Sequence, residues 1–215
     1  TNLRTNGAGI DENSAMTASV SFSGDVTATL GTITIATVAS RQSVTYYKGA
    51  AKEEVAKFTV NYDKSNGTTV KDTGIFFYGA SNLLADVAGV TSDTKMTKQV
   101  SIRGVALTDA QVSTLTSASS SIVVATVTYY RKSLTNFTGE KSEEKALNST
   151  SYSIADGTTQ ISYTEYTYKA DGSLDYVTTY RNDTKARLVS KTYYDTSRGQ
   201  GNEIANYSLS YNSLG

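Results

Sequence analysis

Apolar and polar residues alternate with period two along much of this chain. Ala56, Phe58, Val60 and Tyr62 share one parity, and Lys57, Thr59 and Asn61 share the other. That is the pattern of a β-strand with one buried face. Near the end of the sequence Ala205, Tyr207, Leu209 and Tyr211 alternate with Asn206, Ser208 and Ser210, so the rule persists while the residues change. The same reading predicts strands at 17–23, 26–30, 33–39, from Val44 to Tyr47, at about 69–78, and at 149–154, 159–169, 174–181, 187–194 and 203–211. The run from Ile122 to Tyr130 is the most apolar and is expected to be a central strand. Turn signals separate these runs at Gly24-Asp25, Ser65-Asn66-Gly67, Asp156-Gly157 and Ala170-Asp171-Gly172-Ser173. Helical signals are few. Residues 50–55 suit one turn, Ser81 caps a short helix over 81–88, and Thr108 to Gln111 reads as a capping box before Val112 and Leu115.

The strand pattern repeats. Shifted by ninety residues, the sequence lies on itself from Gly49 to Lys95. Gly49 falls on Gly139, Glu53-Glu54 on Glu143-Glu144, Tyr62 on Tyr152, Gly67 on Gly157, Tyr78 on Tyr168, Leu84 on Leu174, and Asp93-Thr94-Lys95 on Asp183-Thr184-Lys185. A shift of eighty places Met16-Thr17 on Met96-Thr97 and Gly24 on Gly104. Thr45-Tyr46-Tyr47 recurs as Thr128-Tyr129-Tyr130 and as Thr192-Tyr193-Tyr194. Four segments follow: a trailing half-unit 1–44, a full unit 45–127, a shortened unit 128–191 and a leading half-unit 192–215. The expected fold is all-β, with antiparallel hairpins or a meander repeated at about 65–85 residues per unit in a stacked array or sandwich. The half-units are either joined covalently in a longer array or completed by neighbouring chains.

Composition narrows the function. Lys plus Arg and Asp plus Glu number 20 each, without a basic cluster, which excludes the electrostatic footprint of a nucleic-acid binder. No apolar run reaches the length of a membrane span. Pro, Cys, His and Trp are absent. The lack of proline leaves every backbone N–H available to a ladder. Without Cys or His there is no disulfide, no thiolate and no ordinary neutral-pH base. Catalysis would fall to carboxylates, Lys, Tyr or Ser/Thr, and no such constellation stands out, so the chain is not expected to be an enzyme or to carry a cofactor. Sixteen Tyr among abundant Ser and Thr match the composition of secreted bacterial surface proteins.

Two resemblances attach to particular residues. Tyr166-Thr-Tyr168-Lys-Ala-Asp-Gly172-Ser-Leu174 resembles the tyrosine-aspartate repeat of Rhs-type proteins, with Lys169 where that motif has Asp and Ser173 where it has Arg. Tyr62-Asp63 and Tyr194-Asp195 echo it. The resemblance implies hairpin geometry, and its fuller form implies a β-sheet shell. The longer unit, with its TYY, EExA, NGTTV and YG.SNL elements, is similar to tandem tyrosine-rich units of very large bacterial surface proteins. That resemblance spans the chain and implies no particular biochemistry; the expected role is that of a structural segment of an extracellular filament, sheath or surface array.

The candidate chemistry is sparse. Asp63 to Gly67 and Asp171 to Asp175 offer oxygen ligands, but Gly67 sits one place too early for an EF-hand loop, and turn chemistry accounts for both stretches. No metal site is expected. Adjacent Glu53 and Glu54 point to opposite faces of a strand, so their recurrence suits structure better than acid–base work. Asn66, Asn136, Asn148, Asn182 and Asn206 lie in N-x-S/T sequons and are candidate glycosylation acceptors. Gly67, Gly157 and Gly172 mark the turns, and Tyr62, Tyr152 and Tyr211 the alternating buried face. The expected partner is another copy or the continuation of the array, through β-augmentation of one half-unit by the next. An adhesin that recognises glycan or a surface partner, and an Rhs-like shell fragment, are the alternatives.

Overall fold

The computed structural model describes residues 13–23 and 40–212. The expected strands at 26–30 and 33–39, and the turn at Gly24-Asp25, lie outside them. The protein is all-β. Strands β1 (Ala18–Phe22), β2 (Arg41–Lys48), β3 (Val55–Tyr62), β4 (Val70–Tyr78) and β5 (Met96–Arg103) lie side by side. After a connector holding helix α1 (Asp109–Val112) and strand β6 (Ser121–Val124), the series resumes. It runs through β7 (Val127–Thr138), β8 (Lys145–Tyr152), β9 (Gln160–Tyr168), β10 (Leu174–Tyr180), β11 (Leu188–Asp195) and β12 (Ile204–Ser210). All neighbours are antiparallel, and the described strands form one open meander rather than two packed sheets. Only β6 leaves the path, as a hairpin partner of the first residues of β7.

Structural correspondence follows the ninety-residue shift through the first three strands of a unit. β3 and β8 match end to end, as do β4 and β9, and β2 matches the second part of β7. Beyond Tyr78 the gap-free alignment fails. Residues 79–95 form a connector of turns, whereas 169–185 contain a tight hairpin turn and strand β10. The true counterpart of β10 is β5, so Leu84 and Leu174 are not equivalent. In β7 the counterpart of Thr45-Tyr46-Tyr47 is Thr135-Asn136-Phe137, where both strand pairs shift register, and not Thr128-Tyr129-Tyr130.

Two further expectations are corrected. Residues 81–88 form no helix: Leu83 N donates to Tyr78 O at 2.9 Å and Tyr78 N to Leu83 O at 2.8 Å, a bridge that turns the chain back on β4. Nor is 122–130 a central strand. Val124 pairs with Val127 across a two-residue turn at Ala125 and Thr126, and Val123 and Val127 are exposed. Hydrophobicity alone could not reveal the turn, because Ala125 takes a positive φ of 55° with no glycine to mark it. The capping box is present: Gln111 N donates to Thr108 Oγ1 at 3.3 Å and Thr108 N to Gln111 Oε1 at 2.8 Å.

The core lies on one face of β2–β5. Phe58, Ile75, Val100 and Leu134 are cross-strand partners, as are Val44, Val60, Thr73 and Ile102. The connector after β5 folds over them, contributing Val105, Leu107, Val112, Leu115 and Ile122. Thr73 fastens it, donating from Oγ1 to Val105 O at 2.6 Å and accepting from Leu107 N at 3.3 Å. A second cluster on the β4–β5 connector joins Val55, Tyr78 and Ala85.

Candidate functional site

The surface where one four-strand unit meets the next is built three times from the same parts. A Glu sits just before the second strand of each unit, as the second member of the pairs Glu53-Glu54 and Glu143-Glu144 and, after Asn202, as the single Glu203. Its carboxylate accepts a backbone N–H from the first residue of β5 or β10 or, for Glu54, from the residue two places before β1. Glu54 Oε1 takes Met16 N at 2.8 Å, Glu144 Oε1 takes Met96 N at 3.0 Å, and Glu203 Oε1 takes Leu174 N at 2.8 Å. Charge-assisted bonds of this kind are the stronger ones. The contact also acts on the acid, since the bond from Leu174 N holds Glu203 below the usual carboxylate range. The recurrence of Glu-Glu is therefore a seam contact made by one member, while Glu53 and Glu143 stay exposed.

Other contacts repeat around the seam. Tyr78 Oη donates to Ala56 O at 2.5 Å, and Tyr168 Oη to Ala146 O at 2.9 Å. Burial, aided by the nearby charge of Glu144, pushes the Tyr78 hydroxyl well above its ordinary pKa. Hydroxyl pairs cross from first to second strand at Thr45–Thr59 (2.8 Å), Thr135–Ser149 (2.9 Å) and Thr192–Ser208 (2.8 Å). Gly49 and Gly139 take φ of 118° and 113°, and a Cβ on either would strike the carbonyl oxygen of Glu53 or Glu143. Only glycine fits that turn.

The turn and face residues fall into place around these contacts. Gly67 and Gly157, with φ of 64° and 63°, end matching loops between the second and third strands. In the first loop Asn66 Oδ1 accepts from Thr68 N and Thr69 N, and in the second Asp156 Oδ1 accepts from Thr158 N and Thr159 N. Bonds from Thr159 and Thr158 draw the Asp156 carboxyl down to about 2. Gly172, with φ of 84°, lies in the β9–β10 turn. The guanidinium of Arg41 sits 3.7 Å from the centre of the Tyr62 ring, and that of Arg131 sits 3.8 Å from Tyr152. Such contacts stabilise by about 0.5–2 kcal/mol. Tyr62 is half-buried and Tyr152 buried, but Tyr211 is exposed, and Leu188 stands where the other copies have Arg.

The sequon asparagines do not form one surface. Asn136 Nδ2 donates to Asn148 Oδ1 at 2.7 Å in the middle of the sheet, Asn66 caps its loop, Asn182 Oδ1 accepts from Thr184 Oγ1 at 2.6 Å, and Asn206 is exposed on β12. Tyr193 stacks on Tyr207 at 4.8 Å, Tyr176 lies 5.8 Å from Tyr193, and Lys191 Nζ sits 3.6 Å from the Tyr176 ring centre. Tyr207, at the outer end of the stack, is 52% exposed.

One polar cluster escaped the sequence pattern. Lys57, assigned by alternation to the polar face, is 0% exposed. Tyr46 pairs with Phe58 and Tyr47 with Ala56, so Lys57 is the extra residue of a β-bulge and drops out of the alternation. Its Nζ donates to Asp86 Oδ2 at 2.5 Å, Asp109 Oδ1 at 3.0 Å and Ser113 Oγ at 2.7 Å, which uses all three ammonium donors. Lys48 Nζ also reaches Asp109, at 2.9 Å. Desolvation pushes both carboxyls up. The bonds from Lys57 to Asp86, and from Lys48 and Lys57 to Asp109, outweigh it and leave both below the ordinary range. Spacing gave no hint of this site, since Asp86, Asp109 and Ser113 come from two different connectors.

Among the described residues there is no cluster of three or more Asp or Glu suited to a metal, and no helix long and apolar enough to cross a membrane. No protein-family model matches the chain, and no curated protein matches it.

Proposed function

We propose that the chain is a structural segment of an extracellular bacterial filament, sheath or surface array. The observation that carries this reading is the seam: the same carboxylate-to-backbone contact at three successive junctions makes the unit one that adds to itself. The placement outside the cell rests on the tyrosine-rich, cysteine-free composition and on the resemblance to large surface proteins.

Topology refines how copies would join. β1 and β12 sit at opposite ends of an antiparallel path of eleven strands, so they run in the same direction. Direct pairing of β12 with the β1 of another copy would be parallel. One intervening strand of the third-strand type, like β4 and β9, restores the alternation. Deleting residues 1–24, which removes β1, is expected to abolish assemblies in light scattering and electron microscopy while leaving a folded monomer. Assemblies that survive the deletion overturn joining through this edge.

A further inference from the structure

We propose that Lys57 and Asp86 condense to an intramolecular isopeptide bond, with Asp109 carrying the protons. Lys57 is wholly buried, its Nζ lies 2.5 Å from Asp86 Oδ2, and a second carboxylate, Asp109 Oδ1, lies 3.0 Å away. Ser113 Oγ bridges the site, accepting from Nζ at 2.7 Å and lying 3.2 Å from Asp86 Oδ2. The neighbours in sequence of the reacting pair, Val55, Phe58, Leu84 and Ala85, are buried, as is Val112 beside Ser113. A wholly buried nucleophile thus meets a carboxyl carbon and a proton carrier that sit at the edge of the core. Condensing an amine with an acid is unfavourable between dilute partners in water. Effective concentrations of about 10⁵–10⁸ M for well-oriented partners in one molecule change that balance.

The step balances without any co-reactant. The Lys57 ammonium passes one proton through Asp109 to the Asp86 carboxylate, and the free amine attacks Cγ of the carboxylic acid so formed. Asp109 then takes another proton from the nitrogen of the adduct and passes it to the same oxygen. The C–O bond breaks, the oxygen leaves as water with two of the three ammonium hydrogens, and an amide N–H remains. The side chains of Asp86 and Asp109 keep 30% and 50% of their surface exposed, which gives the water a way out. The bond would staple β3 to the β4–β5 connector in a chain that has no cysteine to do so. In β8 the bulge residue is Leu147 and in β12 it is Asn206, so the link belongs to the first unit alone.

Intact mass under denaturing conditions tests the proposal, followed by tryptic mapping. The protein is expected to weigh one water less than its sequence and to give a branched peptide joining Lys57 to Asp86. Lys57→Met should restore the full mass. Asp109→Asn, which keeps both bonding partners and so guards against simple misfolding, should restore it too. A wild-type protein at full sequence mass overturns the proposal. So does a water loss that maps to a succinimide at Asp156-Gly157 or Asp171-Gly172. Water loss that persists in Asp109→Asn overturns the role given to that residue.

Discussion

The unit β2–β5 and the unit β7–β10 share a backbone plan but solve the problem of their sheet face in opposite ways. In the first, two long connectors, 79–95 and the stretch after β5, fold over the face and make a core. In the second the corresponding connectors shrink to 169–173 and 181–187. The side chains change with them. Where the cover exists the face carries Tyr46, Phe58, Val60 and Ile75, and where it is missing the counterparts are Asn136, Asn148, Thr150 and Glu165. The stacked Tyr46–Phe58 pair, 4.5 Å between ring centres, becomes the Asn136–Asn148 hydrogen bond at 2.7 Å. Past β8 the chain is close to a single-layer sheet. Among the described residues, contacts along the sheet hold it, including the ion pair at 2.6 Å from Lys185 of the β10–β11 connector to Glu165 on β9, and the tyrosine stack between strands. One strand plan thus tolerates both an apolar and a polar face, provided the face residues follow the connectors.

The largest test compares Phe58→Ala with Asn148→Ala at the same place in the two units. Cavity formation predicts a loss of about 3–5 kcal/mol for the first, and loss of one hydrogen bond predicts about 0.5–1.5 kcal/mol for the second. Equal losses in denaturant unfolding would break the distinction between covered and uncovered units. Thr73→Val should come next. It strands the carbonyl of Val105 and the amide of Leu107 under the connector, at a cost of about 1–3 kcal/mol. Its counterpart Tyr163 fastens no cover, so Tyr163→Phe should leave stability nearly unchanged in the same assay.

Glu144→Ala probes what the units share rather than how they differ. It removes the acceptor for Met96 N at the seam, and a loss of about 1–2 kcal/mol is expected, with Glu144→Gln recovering part of it. Faster amide exchange at Met96, unaltered at Leu174, would localise the effect, and unchanged exchange at Met96 would dismiss the seam contact as decorative.

The smallest effect separates two loops of the same shape. Asp156 has a lowered pKa, so its contribution to the loop is complete above the ordinary carboxylate value and fades as the pH falls through about 2. Asn66, which makes the same backbone contacts in the first unit, has no charge to lose. Between pH 4 and pH 2 the amides of Thr158 and Thr159 should lose protection while those of Thr68 and Thr69 keep theirs through Asn66. Parallel loss in both loops would show that Asp63, also held low by its bonds from Ser65, governs the first loop instead.

Period-two alternation placed most strands within a few residues, because each has one face that packs better than the other. It missed β5 and the second part of β7, and it failed where the backbone departs from the simple ladder. A bulge carried Lys57 to the wrong face, and a positive φ at alanine hid the turn inside 122–130. The apolar residues Leu83, Leu84 and Val87 suggested a helix at 81–88, but they belong to a connector pinned to β4 by the Tyr78–Leu83 bridge. The seam was half legible. The recurrence of Glu54 and Glu144 showed in the sequence. Its partner could not, because a backbone N–H leaves no residue signature and lies 38 positions away for Glu54 and 48 for Glu144.

The antiparallel path also decides how the protein answers a pull. Its two edge strands lie at opposite ends of the sheet, so tension carried between them runs across the strands and bears on the hydrogen-bonded pairs one after another. Such a sheet peels like a zip instead of resisting in shear. Four strands at 4.7–4.9 Å advance the ribbon by only about 19 Å. The residues from Arg131 to Leu188 that make such a unit would span roughly 190 Å when drawn out. Drawn out, each unit therefore reaches about ten times its folded length, released hairpin by hairpin, and an array of them would lengthen under load well before its chain came under strain.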